Sequence, residues 1–457
     1  MWKEGEAASA HRNRCGGKKR QPVCAGTEAE MKEEQAIRVA FVSNYINHHQ
    51  IPFCNAMYRL LDGAFFFVQT QPMEAERVRM GWKEAEKPAY VHCFYEEEAY
   101  CRQLILDCDM VMFGGTDEES YIVPRLADRR PVMRYSERLY KDGQWKAVSP
   151  RGLLKKYRDH TRYRKAPVYL LCAGAYVPSD FHIIRAYPGK MYCWGYFPET
   201  RHYDLDRLFQ EKGYGEPKIP CLLWAARMID WKHPELALET AAYLKERNLD
   251  FHMDIIGDGE LKLQMLELAK AYCLEDRVTF LGYQPPEAVR EFMERADIFL
   301  FTSDRREGWG AVANEAMNSG CALVADHMIG AVPYLVRPGE NGLIYEDGKK
   351  KQLLYLTERL VADRIYCRQL GRNAYETITK TWNAENAAGQ LLKQIRYLLG
   401  AGDGKGIPGR DGQAPAEIGS CTPCVPAPIL SERRARKRVH NAFCASGSSA
   451  ACDSKEV

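Results

Sequence analysis

Glu307 and Glu315 stand with seven residues between them in the string FTSDRREGWGAVANEAMNSGCALVA, residues 301 to 325. Carboxylates accept hydrogen bonds from sugar hydroxyls. Between the two lie Gly308, Trp309 and Gly310, directly ahead of a helix pattern, Ala311, Val312, Glu315, Ala316 and Met317. Glycines let backbone approach a ligand closely. A helix N-terminus offers unpaired N–H groups and the positive end of a dipole, which suits a phosphate. The chemistry implied is that of a ligand carrying both phosphate and sugar. A buried helix with two incidental glutamates would share the spacing, so other groups must be found to complete the site.

A second constellation lies in AARMIDWKHP, residues 225 to 234. Arg227 and Lys232 fall after an expected strand and before an expected helix, where two cations can hold a diphosphate and stabilise charge developing on it. By themselves they read as solvated surface cations; the glutamate string downstream changes that reading. Two further strings, IIGDGE at 255 to 260 and VTFLGY at 278 to 283, end strands in glycine turns that contain Gly257 and precede Tyr283.

The elements that must position these groups follow from short apolar runs alternating with helix patterns. IRVAFV, AFFFVQ, Met110 to Phe113, Val132 to Tyr135, Val168 to Cys172 and Met191 to Trp194 read as strands of a first domain, residues 36–195. The alternation breaks at residues 196–217, read as a linker, and restarts with Pro220 to Ala226 in a second domain, 218–381. A helix follows over 382–400. Continuous buried strands between helices predict α/β architecture, parallel sheets covered on both faces, with ligands at the carboxyl ends of the strands. Residues 1–35 and 401–457 have the composition of disordered extensions.

The 457 residues suffice for two domains plus tails, and 46% hydrophobic with 27% charged residues is ordinary for a globular protein. A net charge of +3 carries no nucleic-acid signature. The 16 cysteines are scattered singly and read as reduced thiols. Cys421–Cys424 lacks a second pair at zinc spacing, and Asp107–Asp109 and Asp204–Asp206 read as accidental D-x-D pairs, so no metal is expected. No apolar run reaches the ~20 residues that cross a bilayer, and no apolar stretch follows the basic residues near the N-terminus. The expectation is a cytoplasmic protein, with peripheral contact to an anionic membrane through Arg151 to Lys165, where seven cations interleave with Leu153, Leu154 and Tyr157. A solvated helix face accounts for that stretch equally well.

EGWGAVANEAMNSGCALVA closely resembles the E-x7-E signature of the family 4 (group 1) retaining glycosyltransferases, E-G-F-G-x-x-x-x-E-A-M-A-x-G-x-P-V-V-A. It departs at Trp309, Asn318 and Cys321-Ala322, none of them a ligand-contacting carboxylate. The 225–234 string is similar to the family's G-R-L-x-x-x-K-G segment, with Ala at the first Gly and His at the last. The resemblance implies the glycosyltransferase B fold: two facing Rossmann-like domains around a cleft, with a last helix crossing back to the first domain. It implies a nucleotide-diphosphate sugar as co-substrate and no cofactor. Catalytic roles fall to Glu307, Arg227 and Lys232. Donor binding falls to Glu315, Gly308, Trp309, Gly310, Gly257 and Tyr283, with backbone N–H groups near Trp309 and Gly310 on the diphosphate. Family habit implies a glycan or polyprenyl-linked acceptor in surface polysaccharide synthesis. The first domain matches less well: it lacks the glycine pair that many relatives carry after the first strand, and His48, His49, Glu137 and Gly114 are the acceptor-side candidates. A nucleotide-sugar epimerase of the same fold and a catalytically silent binding partner of another transferase remain open beside the transferase.

Overall fold

The computed structural model describes residues 37–73, 87–143, 147–213, 218–400 and 419–424; most of the two expected terminal extensions lies outside them. Runs such as VAFVS, MVMF and IFLF are buried along their whole length, as strands covered on both faces must be. The first sheet takes β1 (Val39–Ser43), β2 (Phe65–Gln69), β3 (Val91–Cys93), β4 (Met110–Phe113), β5 (Val132–Ser136), β6 (Val168–Ala173) and β7 (Met191–Trp194) in the order β3-β2-β1-β4-β5-β6-β7. The second takes β8 (Cys221–Ala225), β9 (His252–Ile256), β10 (Val278–Gly282), β11 (Ile298–Phe301), β12 (Ala322–Asp326) and β13 (Leu343–Tyr345) in the order β10-β9-β8-β11-β12-β13. Neighbouring strands pair in parallel, for example Val39 with Phe65 on one side and with Met110 on the other.

Helices α1 (Ile51–Leu60), α2 (Glu98–Asp107), α3 (Val123–Ala127), α4 (Pro150–Asp159) and α5 (Val177–Ile183) belong to the first sheet. The second carries α6 (Leu205–Glu211), α7 (Pro234–Glu246), α8 (Lys262–Ala271), α9 (Pro286–Arg295), α10 (Val312–Asn318), α11 (Val332–Leu335), α12 (Lys350–Ala362) and α13 (Arg364–Lys380). Proline opens α1, α4, α7 and α9, where its missing N–H costs nothing. In each sheet the order reverses at one place, between β1 and β4 and between β8 and β11. The loops leaving those strands diverge there and open a crevice.

The chain passes between the domains twice. After β7 it runs through Phe197, and after α13 it returns through Trp382 into α14 (Ala384–Leu398), which lies against α1 with an Arg59–Glu385 ion pair at its start. The Phe197 and Trp382 rings stack at 6.1 Å and 14°. Trp309, fully buried, packs 5.7 Å from Trp382, so one aromatic core joins the two domains.

The stretch read as a linker is partly helical. Asp204 caps α6 by accepting from the Asp206 and Arg207 N–H groups, and Asp206 pairs with Arg372 at 2.9 Å. Asp109 likewise accepts the Arg38 N–H at 2.8 Å. Both D-x-D pairs therefore have structural partners. Residues 419–424 fall within the stretch whose composition reads as disordered, yet they are ordered along β7. The Cys421 N–H donates to the Cys193 carbonyl at 2.8 Å, and the Cys193 N–H to the Thr422 carbonyl at 2.7 Å. The physical reason is that β7 is an edge strand with unsatisfied backbone groups, which this short segment covers. Cys424 lies 3.5 Å from Cys193, sulfur to sulfur, and both remain thiols.

Candidate active site

The second sheet's crevice brings the two sequence constellations together. The loop after β8 carries Arg227 and Lys232, and the loop after β11 carries Glu307 to Gly310. They are tied by several bonds. Lys232 pairs with Glu307, both side chains only 12% exposed. The Thr302 hydroxyl donates to the Lys232 carbonyl at 2.7 Å, Asp304 N–H to the Trp231 carbonyl at 3.0 Å, and Arg306 to Asp230 at 2.9 Å. His233, at φ 51°, opens α7 between Glu235 and Asp304. Hydrogen bonds to Asp304 and Glu235 lift its pKa to about 10, so the ring is a fixed cation. Burial works against the Asp304 carboxylate, but bonds from His233 and Arg306 hold it down at about 2. Sequence reasoning missed Thr302, Asp304, Arg306 and His233. Thr302, Asp304 and Arg306 lie in the run ahead of Glu307 with partners about 70 positions upstream, and His233 pairs the other way, with Asp304.

Beside these loops lies a cavity of about 540 Å3, lined by Ala226, Arg227, Gly257, Asp258, Tyr283 and Val289 among others. Gly257 has φ +142°, and a Cβ there would collide with the Ala226 carbonyl. Only glycine lets the β9 turn press against the β8 loop and close the cavity floor. Arg227 is exposed at the wall, and its guanidinium has no hydrogen-bond or ion-pair partner among the described residues.

Glu315 projects from α10, and burial raises its pKa, against the pull of Arg290, His48 and Arg201. No hydrogen bond satisfies its carboxylate among the described residues, which leaves it an acceptor for a ligand hydroxyl. His48 belongs to the first domain, so the two domains share this corner. The Trp309 ring takes no part in the cavity. Its Nε1 donates to Asn314 at 2.9 Å, and Gly195 leaves just enough space for its edge. Trp309 can therefore offer a ligand only its backbone. Gly310, at φ +90°, turns the chain into α10.

From the first domain, Glu137 at the end of β5 reaches across to Gly308, where a Cβ would strike its carboxylate. Glu137 accepts from the Tyr196 hydroxyl at 2.6 Å and from Lys141 at 2.7 Å. His49 stacks over Tyr196 at 6.5 Å, beside His48. A second cavity, about 740 Å3, is lined by Gly114, Arg134, Glu137, Lys156 and His160, among others. Gly114 serves packing here, since a Cβ would meet the Tyr135 carbonyl and ring. Arg134 forms a two-bonded pair with Glu119 at 2.7 Å. Burial, then the Arg134 charge, push His160 down to about 2, so it is neutral.

Residues 207–377 match the family described as Glycosyl transferases group 1. The chain is 28% identical to alpha-D-kanosaminyltransferase of Streptomyces kanamyceticus over 40% of its length and 47% of that protein's. It is 26% identical to a putative colanic acid biosynthesis glycosyltransferase of Salmonella typhimurium over 43% and 49%. Each match thus spans about half of the relative. Among solved structures, Anabaena HepE in complex with UDP superposes with a TM-score of 0.59 at 15% identity, covering 79% of this chain and 99% of that one. Sucrose-phosphate synthase of Thermosynechococcus elongatus gives 0.59 at 16%, covering 80% and 100%. The second domain thus matches the group 1 glycosyltransferase family, and the two parallel sheets carry the glycosyltransferase B fold.

Proposed function

We propose that the chain moves a sugar, with retention of anomeric configuration, from a nucleotide-diphosphate sugar to a glycan or lipid-linked acceptor in surface polysaccharide assembly. The observation that carries this reading is the meeting of Arg227, Lys232, Glu307 and the Gly308–Gly310 backbone at one crevice, with Glu137 of the facing domain against Gly308. In this reading the nucleoside occupies the cavity at Gly257 and Tyr283, and Glu315 accepts hydrogen bonds from the ribose. The diphosphate lies between Arg227, Lys232 and the backbone N–H groups near Trp309 and Gly310. Taking up the diphosphate draws Lys232 from Glu307, whose carboxylate then faces the donor sugar. As the anomeric C–O bond breaks, its electron pair goes to the diphosphate, where the two cations stabilise it. The acceptor hydroxyl attacks from the same face and gives its proton to the departing phosphate.

The colanic acid role of the Salmonella relative supports an acceptor of the glycan class, and the UDP bound to HepE supports a nucleotide donor. The polar cavity facing the donor loops favours transfer over epimerisation, which needs no acceptor. No metal enters this mechanism, so a chelator should leave turnover intact; abolition would demand a different one. The reading is tested by thermal shift with UDP, GDP, ADP and their sugar conjugates, alongside Glu315→Ala. A ligand at a hundred times its Kd stabilises the folded state by about 2.7 kcal/mol. One nucleotide should raise Tm in the native chain and do so less in the variant. A folded sample that no nucleotide stabilises would count against the donor site.

A further inference from the structure

On α4 the usual polarity of a helix is reversed. Leu153, Leu154 and Tyr157 fall on one face, three and four residues apart, and that face meets solvent. Leu154 is 69% exposed, Tyr157 58% and Leu153 42%; Val148, just before the helix, is 77% exposed. The opposite face holds Gly152 and the buried Asp159, which accepts from Lys155 at 3.0 Å and from Arg158 at 3.2 Å. A surface helix ordinarily turns its apolar stripe to the core. Arg151 and Arg158 flank the stripe on one side, and Asp159 is the helix's one carboxylate. Other exposed apolar side chains, such as Leu263 and Ile365, stand singly.

We infer that this face of α4 docks on an anionic lipid bilayer, its apolar side chains entering the headgroup–acyl boundary and its cations meeting the headgroups. Charge complementarity selects that occupant over a second copy of the chain, because two such cationic patches repel. The inner side of the same helix leads into the first domain's cavity, which Lys155, Lys156 and Asp159 line together with His160. A lipid-anchored acceptor lying in the bilayer would meet the protein at that cavity's wall. This last step rests on the acceptor reading above; the docking does not.

The test is co-sedimentation of the full chain with vesicles of phosphatidylcholine alone and of phosphatidylcholine mixed with phosphatidylglycerol. Binding should be confined to the anionic vesicles and should weaken in about 0.5 M salt. It should drop about tenfold in the double variant Leu154→Ser/Tyr157→Ser, and about as much in Arg151→Gln/Arg158→Gln. All four side chains are exposed, and Lys155 still pairs with Asp159 when Arg158 is replaced, so the variants keep the fold. Equal binding by native and Leu154→Ser/Tyr157→Ser chains would overturn the proposal. So would equal binding to neutral vesicles, or a lipid-free dimer that the same variant dissolves. The readout is partition, not turnover. Failure of docking therefore leaves sugar transfer standing, and an inactive Arg227→Ala chain that still sediments leaves docking standing.

Discussion

The two sheets open equivalent crevices, yet the two differ in which polar groups stand open at them. At the β8/β11 crevice, the Arg227 guanidinium and the Glu315 carboxylate have no hydrogen-bond partner among the described residues. In both crevices glycines sit in close packing. Gly114 packs on Tyr135, and a Cβ on Gly115 would strike the Ser43 hydroxyl. The charged groups lining the neighbouring cavity are largely spent on each other, Arg134 on Glu119 and Lys141 on Glu137. One supersecondary pattern thus yields a crevice where a guanidinium and a carboxylate stand open and another whose carboxylates are held in ion pairs. The difference lies in whether polar groups are satisfied, not in topology.

That contrast can be broken. The largest effect should come from Arg227→Ala, which removes an idle cation where charge develops. Turnover should fall about 100-fold or more with the fold retained by circular dichroism, and unimpaired turnover would make the two crevices alike. Next, Glu315→Ala should weaken nucleotide binding about tenfold, as loss of a hydrogen bond to a charged group does, read by titration calorimetry. Smaller still, Glu137→Gln should raise the acceptor KM a few-fold and leave nucleotide affinity unchanged, since its bonds are made within the first domain. A change in nucleotide affinity instead would move Glu137 to the donor side. The smallest effect concerns pH. The folded-state pKa of His233 is raised, so its contribution to stability is complete below about 6.5 and fades as pH climbs toward about 10. His233→Asn, which tolerates the positive φ, should lower Tm at pH 6 more than at pH 10. Equal losses at both would show that the flanking carboxylates do not hold the charge.

Sequence made the second crevice legible because its groups sit in contiguous strings, where a strand, a glycine turn and a helix start can be read in succession. Glu307, Glu315, Arg227 and Lys232 all reach their place through local structure. What it hid was supplied from a distance. The bonds of Thr302 and Arg306 to the 230–233 loop span about 70 residues. The Trp309 ring is claimed by Gly195 and Trp382 of other segments. The ordering of residues 419–424 needed an edge strand more than two hundred residues away. Composition describes what a segment can bury by itself, and these segments find their partners elsewhere.

The Phe197–Trp382 stack has a mechanical consequence. The chain crosses between the domains at those two residues, and the rings face each other. Two crossings define a line where one would leave a swivel. Any gaping of the cleft must then turn about that line, like a book on its spine, and the far margins would travel furthest while the aromatic seam stays nearly still. Glu137 and Gly308, beside Tyr196 and Trp309 at that seam, would keep their contact while the margins move.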